Sequence, residues 1–164
     1  MGLLDLDAKD RTLDWPEAGD TIPLLFDVES RALNGIALGE SFEMLRLMGR
    51  PGNPDPLRSG LFKYFGLGLV AALVRGKIDH FGFIMLDEDA EGFAPCRLSI
   101  RRRDGTEVEI DEQSTAEQVK RHFGDPDGSE SYGGYFEYVY EQPRLSLVFE
   151  FTGDGRLVGL DIYA

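Results

Sequence analysis

The residues best equipped for chemistry are few and poorly grouped. His80 and His122 stand alone; neither has a serine, cysteine or carboxylate at a spacing that itself reads as a triad or a zinc ligand set, so both are expected to be surface or structural side chains. Cys96 is the single cysteine. It has no partner for an internal disulfide and no activating neighbourhood, and reads as a small buried residue rather than a nucleophile. The acidic run Asp87, Glu88, Asp89 and Glu91 has the charge to attract a divalent cation. Gly92 falls at the sixth place of such a loop, but the twelfth place, where a bidentate glutamate is needed, holds Leu98. A solvated acidic connector is expected instead. Gly66-Leu67-Gly68-Leu69-Val70-Ala71, with Asp87 downstream, has the letters of a dinucleotide fingerprint. The residues after it read as a strand, so the helix amino terminus that would hold a pyrophosphate is missing. No catalytic, cofactor-binding or metal-binding residue is assigned, and the chain is expected not to be an enzyme and to need no cofactor.

The aromatic residues carry the remaining signal. Phe62 and Tyr64 lie on one candidate strand, and Tyr135, Phe136, Tyr138 and Tyr140 on another, with Tyr132 just before it. Period-two geometry puts Phe136, Tyr138 and Tyr140 on one face. Such a row either packs under a helix or forms an exposed patch in which tyrosine and phenylalanine anchor a partner. A tyrosine hydroxyl needs a hydrogen-bond partner in a dry core, which argues for half-exposed positions at Tyr138 and Tyr140. Phe62, Tyr64, Tyr135, Tyr138 and Tyr140 are therefore the candidate partner-binding residues.

Charge narrows the partner. The chain of 164 residues carries 17 Lys+Arg against 30 Asp+Glu, a formal charge of −13, which repels phosphate backbones and anionic lipid surfaces. Nucleic acid and membrane are not expected as partners; a protein with a basic surface is. Arg101-Arg102-Arg103 is locally basic and reads as a hairpin end paired with nearby carboxylates, an acidic-partner contact being the minor alternative. With 42% hydrophobic and 11% aromatic residues the chain has apolar surface enough to fold. The acidic opening residues do not suit a secretory signal, Leu6 stands where a myristoylation site needs Ser or Thr, and Leu61 to Val74 is too short to span a bilayer; a cytoplasmic protein is expected.

The elements that must position these residues fall into a repeated order. Residues 1–34 read as an acidic arm whose prolines favour an edge strand. Ser41 suits a helix cap, Met44, Leu45 and Met48 share a helical face, and Gly49-Arg50-Pro51 ends the helix. After a Gly/Pro-rich loop come strands at Leu61–Phe65, Leu67–Val74 and Ile78–Met85, the last two joined at Arg75-Gly76-Lys77. The second pass begins with a hairpin about Asp104-Gly105. Ser114-Thr115-Ala116-Glu117 has capping-box form, and Val119 and Phe123 mark a short helix ending at Gly124-Asp125-Pro126. A Gly/Ser loop through Gly134 follows, then strands at Tyr135–Tyr140, Leu145–Phe151 and Arg156–Ile162. Met44, Met48, Gly49 and Pro51 match Val119, Phe123, Gly124 and Pro126; Phe62-Lys63-Tyr64 matches Phe136-Glu137-Tyr138; Gly76-Lys77-Ile78 matches Gly155-Arg156-Leu157. The ordered series reads as an internal duplication.

This unit, a capped short helix ending in Gly-x-Pro followed by an aromatic-bearing antiparallel sheet, resembles the small module of the SmpA/OmlA (BamE-like) outer-membrane-assembly lipoproteins, and two in tandem resemble the β-lactamase inhibitor protein (BLIP-like) architecture. The chain lacks the lipidated cysteine and cysteine pairs of those proteins. The resemblance implies an α+β fold of two tandem helix-plus-antiparallel-sheet modules with an N-terminal arm, over residues 1–34, 35–92 and 93–164, and non-catalytic binding through a concave sheet face. The function expected is a protein-interaction module of immunity or inhibitor type. The alternative is a small apolar ligand held between helix and sheet, lined by Phe and Leu and oriented by a Tyr hydroxyl.

Overall fold

A computed structural model of the chain describes residues 10–164; the acidic opening and Gly2 lie outside the described residues. In chain order the elements are β1 (Leu24–Asp27), β2 (Ala32–Leu33), β3 (Ile36–Ala37), a 3-10 helix (Phe42–Met48), α1 (Pro56–Ser59), β4 (Leu61–Tyr64), β5 (Leu69–Val74), β6 (Lys77–Ile84), β7 (Leu98–Arg101), β8 (Glu107–Ile110), α2 (Ala116–Phe123), β9 (Gly128–Tyr132), β10 (Tyr135–Gln142), β11 (Leu145–Thr152) and β12 (Leu157–Tyr163). The helix caps have local reasons, with the capping box of α2 falling one residue later than the Ser114–Glu117 expectation. Ser41 accepts from the Glu43 amide, and Thr115 and Gln118 form a reciprocal capping box on α2. Leu145, Leu147, Phe149 and Phe151 are buried and alternate with half-buried Ser146, Val148, Glu150 and Thr152.

Two sheets form, a five-stranded one ordered β3-β2-β1-β7-β8 and a seven-stranded one ordered β4-β5-β6-β12-β11-β10-β9. The larger is antiparallel throughout; the smaller contains one parallel pair, β1 with β7. Their buried faces meet in one cluster, where Phe26 of β1 approaches Phe81 of β6 edge-on with centroids 6.4 Å apart. Trp15 seals one end of that cluster against Phe42 and Phe62, and α2 with Phe123 lies over Tyr140 and Phe149 at the other.

The expected α+β class is thus corrected: the chain is mostly β, 43% strand against 14% helix. The two halves do not each close a sheet under a helix of their own. They fuse through β6 and β12 into the seven-stranded sheet, while the five-stranded sheet draws strands from all three expected segments. Eight-residue α2 and the seven-residue 3-10 helix are too short to cover such a sheet, so a second sheet does that work. β1 is also not an edge strand, since it lies between β2 and β7. Pro23 stands just before it, where no ladder N–H is required. The Gly/Ser segment read as a loop supplies the edge strand β9.

The sequence correspondence between the halves survives as a correspondence of pairings. Phe81 pairs with Ile162, Phe83 with Leu160, and Gly82 with Asp161, so a local two-fold passes through that central pair. Each half has a register shift at the matching place, between Ala72 and Leu73 on β5 and between Glu150 and Phe151 on β11. Ser41 bridges Lys77 as Thr115 bridges Arg156. The aromatic strands match with a slip from the sequence alignment, however. Tyr64 pairs with Leu69 and Tyr140 with Leu147, and both leucines pair on to equivalent residues, so Tyr64 corresponds to Tyr140 rather than to Tyr138.

Candidate functional site

The matched tyrosines are structural. Tyr64 donates its hydroxyl to the carbonyl of Gly49 at 3.0 Å, and Tyr140 to that of Gly124 at 2.9 Å, so each ties a strand to the glycine that ends a helix. Phe62, Tyr64 and Tyr140 are 0%, 2% and 4% exposed, which removes them as partner-binding residues. Tyr140 is thus buried rather than half-exposed, and the helix-end carbonyl, invisible in sequence, supplies the hydrogen-bond partner its hydroxyl needs. Tyr138 is half-buried against Phe151 on the core side, with Lys120 Nζ 5.6 Å from its ring centroid. Of the five candidates only Tyr135 lies on the other face of the sheet, where it pairs with Tyr132 across β9 and β10 and the rings stack at 6.4 Å.

That other face, free of the second sheet, is the candidate site. Glu130, Glu137 and Glu150 are direct cross-strand neighbours on β9, β10 and β11, and Asp161 follows on β12 opposite Val148. Like charges set opposite one another disfavour the sheet. The carboxyl of Glu137 is held above the usual carboxylate range, first by desolvation and then by Glu130, Glu150 and Asp161. Asp161 is exposed as a residue, but its carboxyl lies in a cleft; desolvation raises its pKa, the charge of His80 opposes, and Glu150 adds to the rise. The two stacked tyrosines close the row, Tyr132 donating to Glu150 and Tyr135 to Glu88 at 2.5 Å; both phenols are pushed up, chiefly by those bonds.

The cleft, about 340 Å³, lies between this face and the connector that carries Asp87 to Glu91. Val70, Ile84 and Val158 give it apolar floor, and His80, Glu150 and Asp161 give it polar walls. Asp87 is committed to its own loop: Oδ1 accepts from the Glu91 amide and Oδ2 from the amides of Gly92 and Phe93. Lys63 pairs with Glu91 at 2.7 Å. Among the described residues no group of three or more His, Cys, Asp and Glu side chains is arranged to hold a metal ion.

His80 therefore does stand in a cleft with carboxylates, which its spacing did not suggest. Its ring nitrogen lies 3.3 Å from Asp79, an exposed neighbour in the chain, rather than being clamped by a buried acid. His122 is exposed at the end of α2. Cys96 is fully buried, with its thiol pushed up to about 12 by desolvation. In the glycine-rich string, Phe65–Leu67 forms one 3-10 turn and β5 begins at Leu69, so no phosphate-binding helix follows. The acidic row escaped the sequence reading because period-two alternation puts Glu137 and Glu150 off the core face, whereas their adjacency depends on register.

No family model matches the chain, and no curated protein matches it. Its fold is that of a solved structure, a DUF4309 family protein (YjgB) from Bacillus subtilis, with a TM-score of 0.54 over 80% of this chain and 84% of that one, at 13% identity.

Proposed function

We propose that the chain is a non-enzymatic protein-interaction module, of inhibitor or immunity type, that docks a basic protein on the uncovered face of the seven-stranded sheet. One observation carries this reading: Glu130, Glu137 and Glu150 face one another across three paired strands, with Asp161 beside them. A row that costs folding stability has its natural compensation in an opposite charge supplied from outside. Stacked Tyr132 and Tyr135 add the amphipathic contact area favoured at protein interfaces. The chain's charge of −13 would steer a cationic partner onto this face and make association salt-sensitive.

The test is titration of a Lys/Arg-rich peptide into the protein at low and high salt, followed by amide shifts. Wild type is expected to bind through β9 to β12, with affinity falling as salt rises. The double variant Glu137→Gln/Glu150→Gln should bind more weakly than the control Glu107→Gln/Glu109→Gln, which removes equal charge from the five-stranded sheet. Equal loss in both variants would reduce the effect to net charge and defeat the proposal.

Acid–base chemistry is the second reading, favoured by the presence of His80, Glu150 and Asp161 in one cleft. What weakens it is that His80 pairs with exposed Asp79 at 3.3 Å and makes no hydrogen bond to Glu150 or Asp161.

A further inference from the structure

We infer that the cleft at the carboxyl end of α2 is a binding site for a small amphipathic carboxylate, separate from the acidic face. The correspondence between the halves exposes it. A Cβ on Gly49 would meet the Cα of Ala18 at 2.6 Å, because residues 15–18 close over that helix end; Arg50 N donates to the Pro16 carbonyl at 2.7 Å and Trp15 stacks on Phe42. A Cβ on the matching Gly124 would meet nothing within 4 Å. What stays open there is a cleft of about 300 Å³, at the small end of small-molecule sites, floored by Val28, Phe123, Tyr140 and Leu147.

Its rim is cationic in an otherwise acidic chain. Arg102 donates through Nε to Thr106 Oγ1 at 2.8 Å and through Nη1 to the His122 carbonyl, which fixes the guanidinium across the β7–β8 hairpin and the end of α2. Its Nη2 has no hydrogen bond among the described residues, and Arg103, also lining the cleft, has no ion pair among them. Asp104 also lines the cleft and offsets part of this charge, its pKa being lowered first by bonds from Thr106 and in part by Arg102. Its Oδ1 accepts from the Thr106 amide at 2.9 Å and the Thr106 hydroxyl at 2.6 Å and it makes no ion pair with Arg103, so the two arginines leave the rim net positive. A helix carboxyl end ordinarily repels anions through its free carbonyls. Here the His122 carbonyl is taken by Arg102 and the Gly124 carbonyl by Tyr140. An apolar floor beneath two arginines suits a carboxylate head on a short alkyl or aryl tail, the head taking the guanidinium fork and the tail lying against Phe123. A wholly apolar ligand, the alternative function weighed from sequence, would leave those arginines unused.

The experiment compares decanoate, decyl glucoside and decyltrimethylammonium, each below its micelle concentration, by amide chemical shifts on the full chain. Decanoate is expected to saturate, moving the amides of Val28, Phe123, Tyr140 and Leu147, and decyl glucoside to bind more weakly. Arg103→Gln should weaken decanoate about ten-fold, the worth of one charge-assisted hydrogen bond, and Arg103→Glu more. Retained spectral dispersion of both variants keeps the comparison valid, Arg103 being exposed. Equal binding of the glucoside, no saturation by decanoate, or an unchanged affinity in Arg103→Glu would each overturn the inference. Decyltrimethylammonium is expected not to move the amides of Val28, Phe123, Tyr140 and Leu147, and saturable shifts there matching those of decanoate would also overturn the inference.

Discussion

Glu137 and Glu150 lie directly opposite each other on β10 and β11, with Glu130 opposite Glu137 on its other side. Three carboxylates in one row across adjacent strands weaken the sheet that carries them, and Tyr132 relieves only the last by donating to Glu150.

Neutralising the middle of the row should therefore stabilise the fold. Glu137→Gln is expected to raise the free energy of urea unfolding at neutral pH and low salt by about 0.2–1 kcal/mol, with most of the gain lost at high salt. A fall in stability would show that the carboxylate is structurally required.

The same row sets the pH dependence. Glu137 and Asp161 have raised pKa values, so the folded chain holds protons that the unfolded chain releases; this contribution is full below the ordinary carboxylate pKa and lost as pH rises through the folded values. Asp27, Asp104 and Asp154 are lowered, mainly by hydrogen bonds from Ser30, Thr106 and Thr152, and their contribution is present above the ordinary value and lost as pH falls through the folded one. The melting temperature is expected to rise as pH is lowered from neutral towards about 5, and to drop below about 4. Glu137→Gln should flatten the upper limb. A monotonic fall from pH 7 downward would contradict this balance.

Tyr64→Phe and Tyr140→Phe remove matching hydrogen bonds in unequal surroundings. Gly49 is buried and Gly124 exposed, so the first leaves a carbonyl without water and the second does not. Expected losses are about 1–3 kcal/mol for Tyr64→Phe and about 0.5–1.5 kcal/mol for Tyr140→Phe, measured by denaturant unfolding. A larger loss at Tyr140 would refute the assignment of burial.

Gly49 and Gly124 share a backbone conformation that favours glycine, with φ of 93° and 81° and ψ near extended values. Alanine at either position should cost about 1–3 kcal/mol from backbone strain. Gly49→Ala must in addition displace Ala18, whose Cα lies 2.6 Å from the new Cβ. It should therefore unfold at clearly lower denaturant than Gly124→Ala, and equal midpoints would show that residues 15–18 do not hold that helix end.

Much of the local structure was legible in the residues. Ser114 to Glu117 announced the start of α2, one residue before the Thr115–Gln118 box that forms, Gly124 its end, Asp104-Gly105 the β7–β8 hairpin, and the alternation from Leu145 to Phe151 a strand with one dry face. The matched order of the two halves was visible as well, though Phe62 and Tyr64 aligned one side-chain repeat away from their partners. A period-two pattern slides by two residues without changing which side chains face inward, and only the ladder to β5 and β11 fixes the choice. Of the candidate partner residues, Phe62, Tyr64, Tyr138 and Tyr140 turned out to lie on the covered face and Tyr135 on the uncovered one, since sequence marks which side chains share a face and not what covers it.

The sequence by itself determined most of the elements, though not β9 or α1, together with the helix ends and the alternation of the long strands, because those depend on neighbours a few residues apart. Tertiary structure alone decided that β6 joins β12, that β1 runs inside the smaller sheet beside β7, and that Glu130, Glu137 and Glu150 stand in one row. Those are pairings between distant segments, chosen by which apolar faces can be buried together, and a strand's own residues carry no record of the strand it will meet.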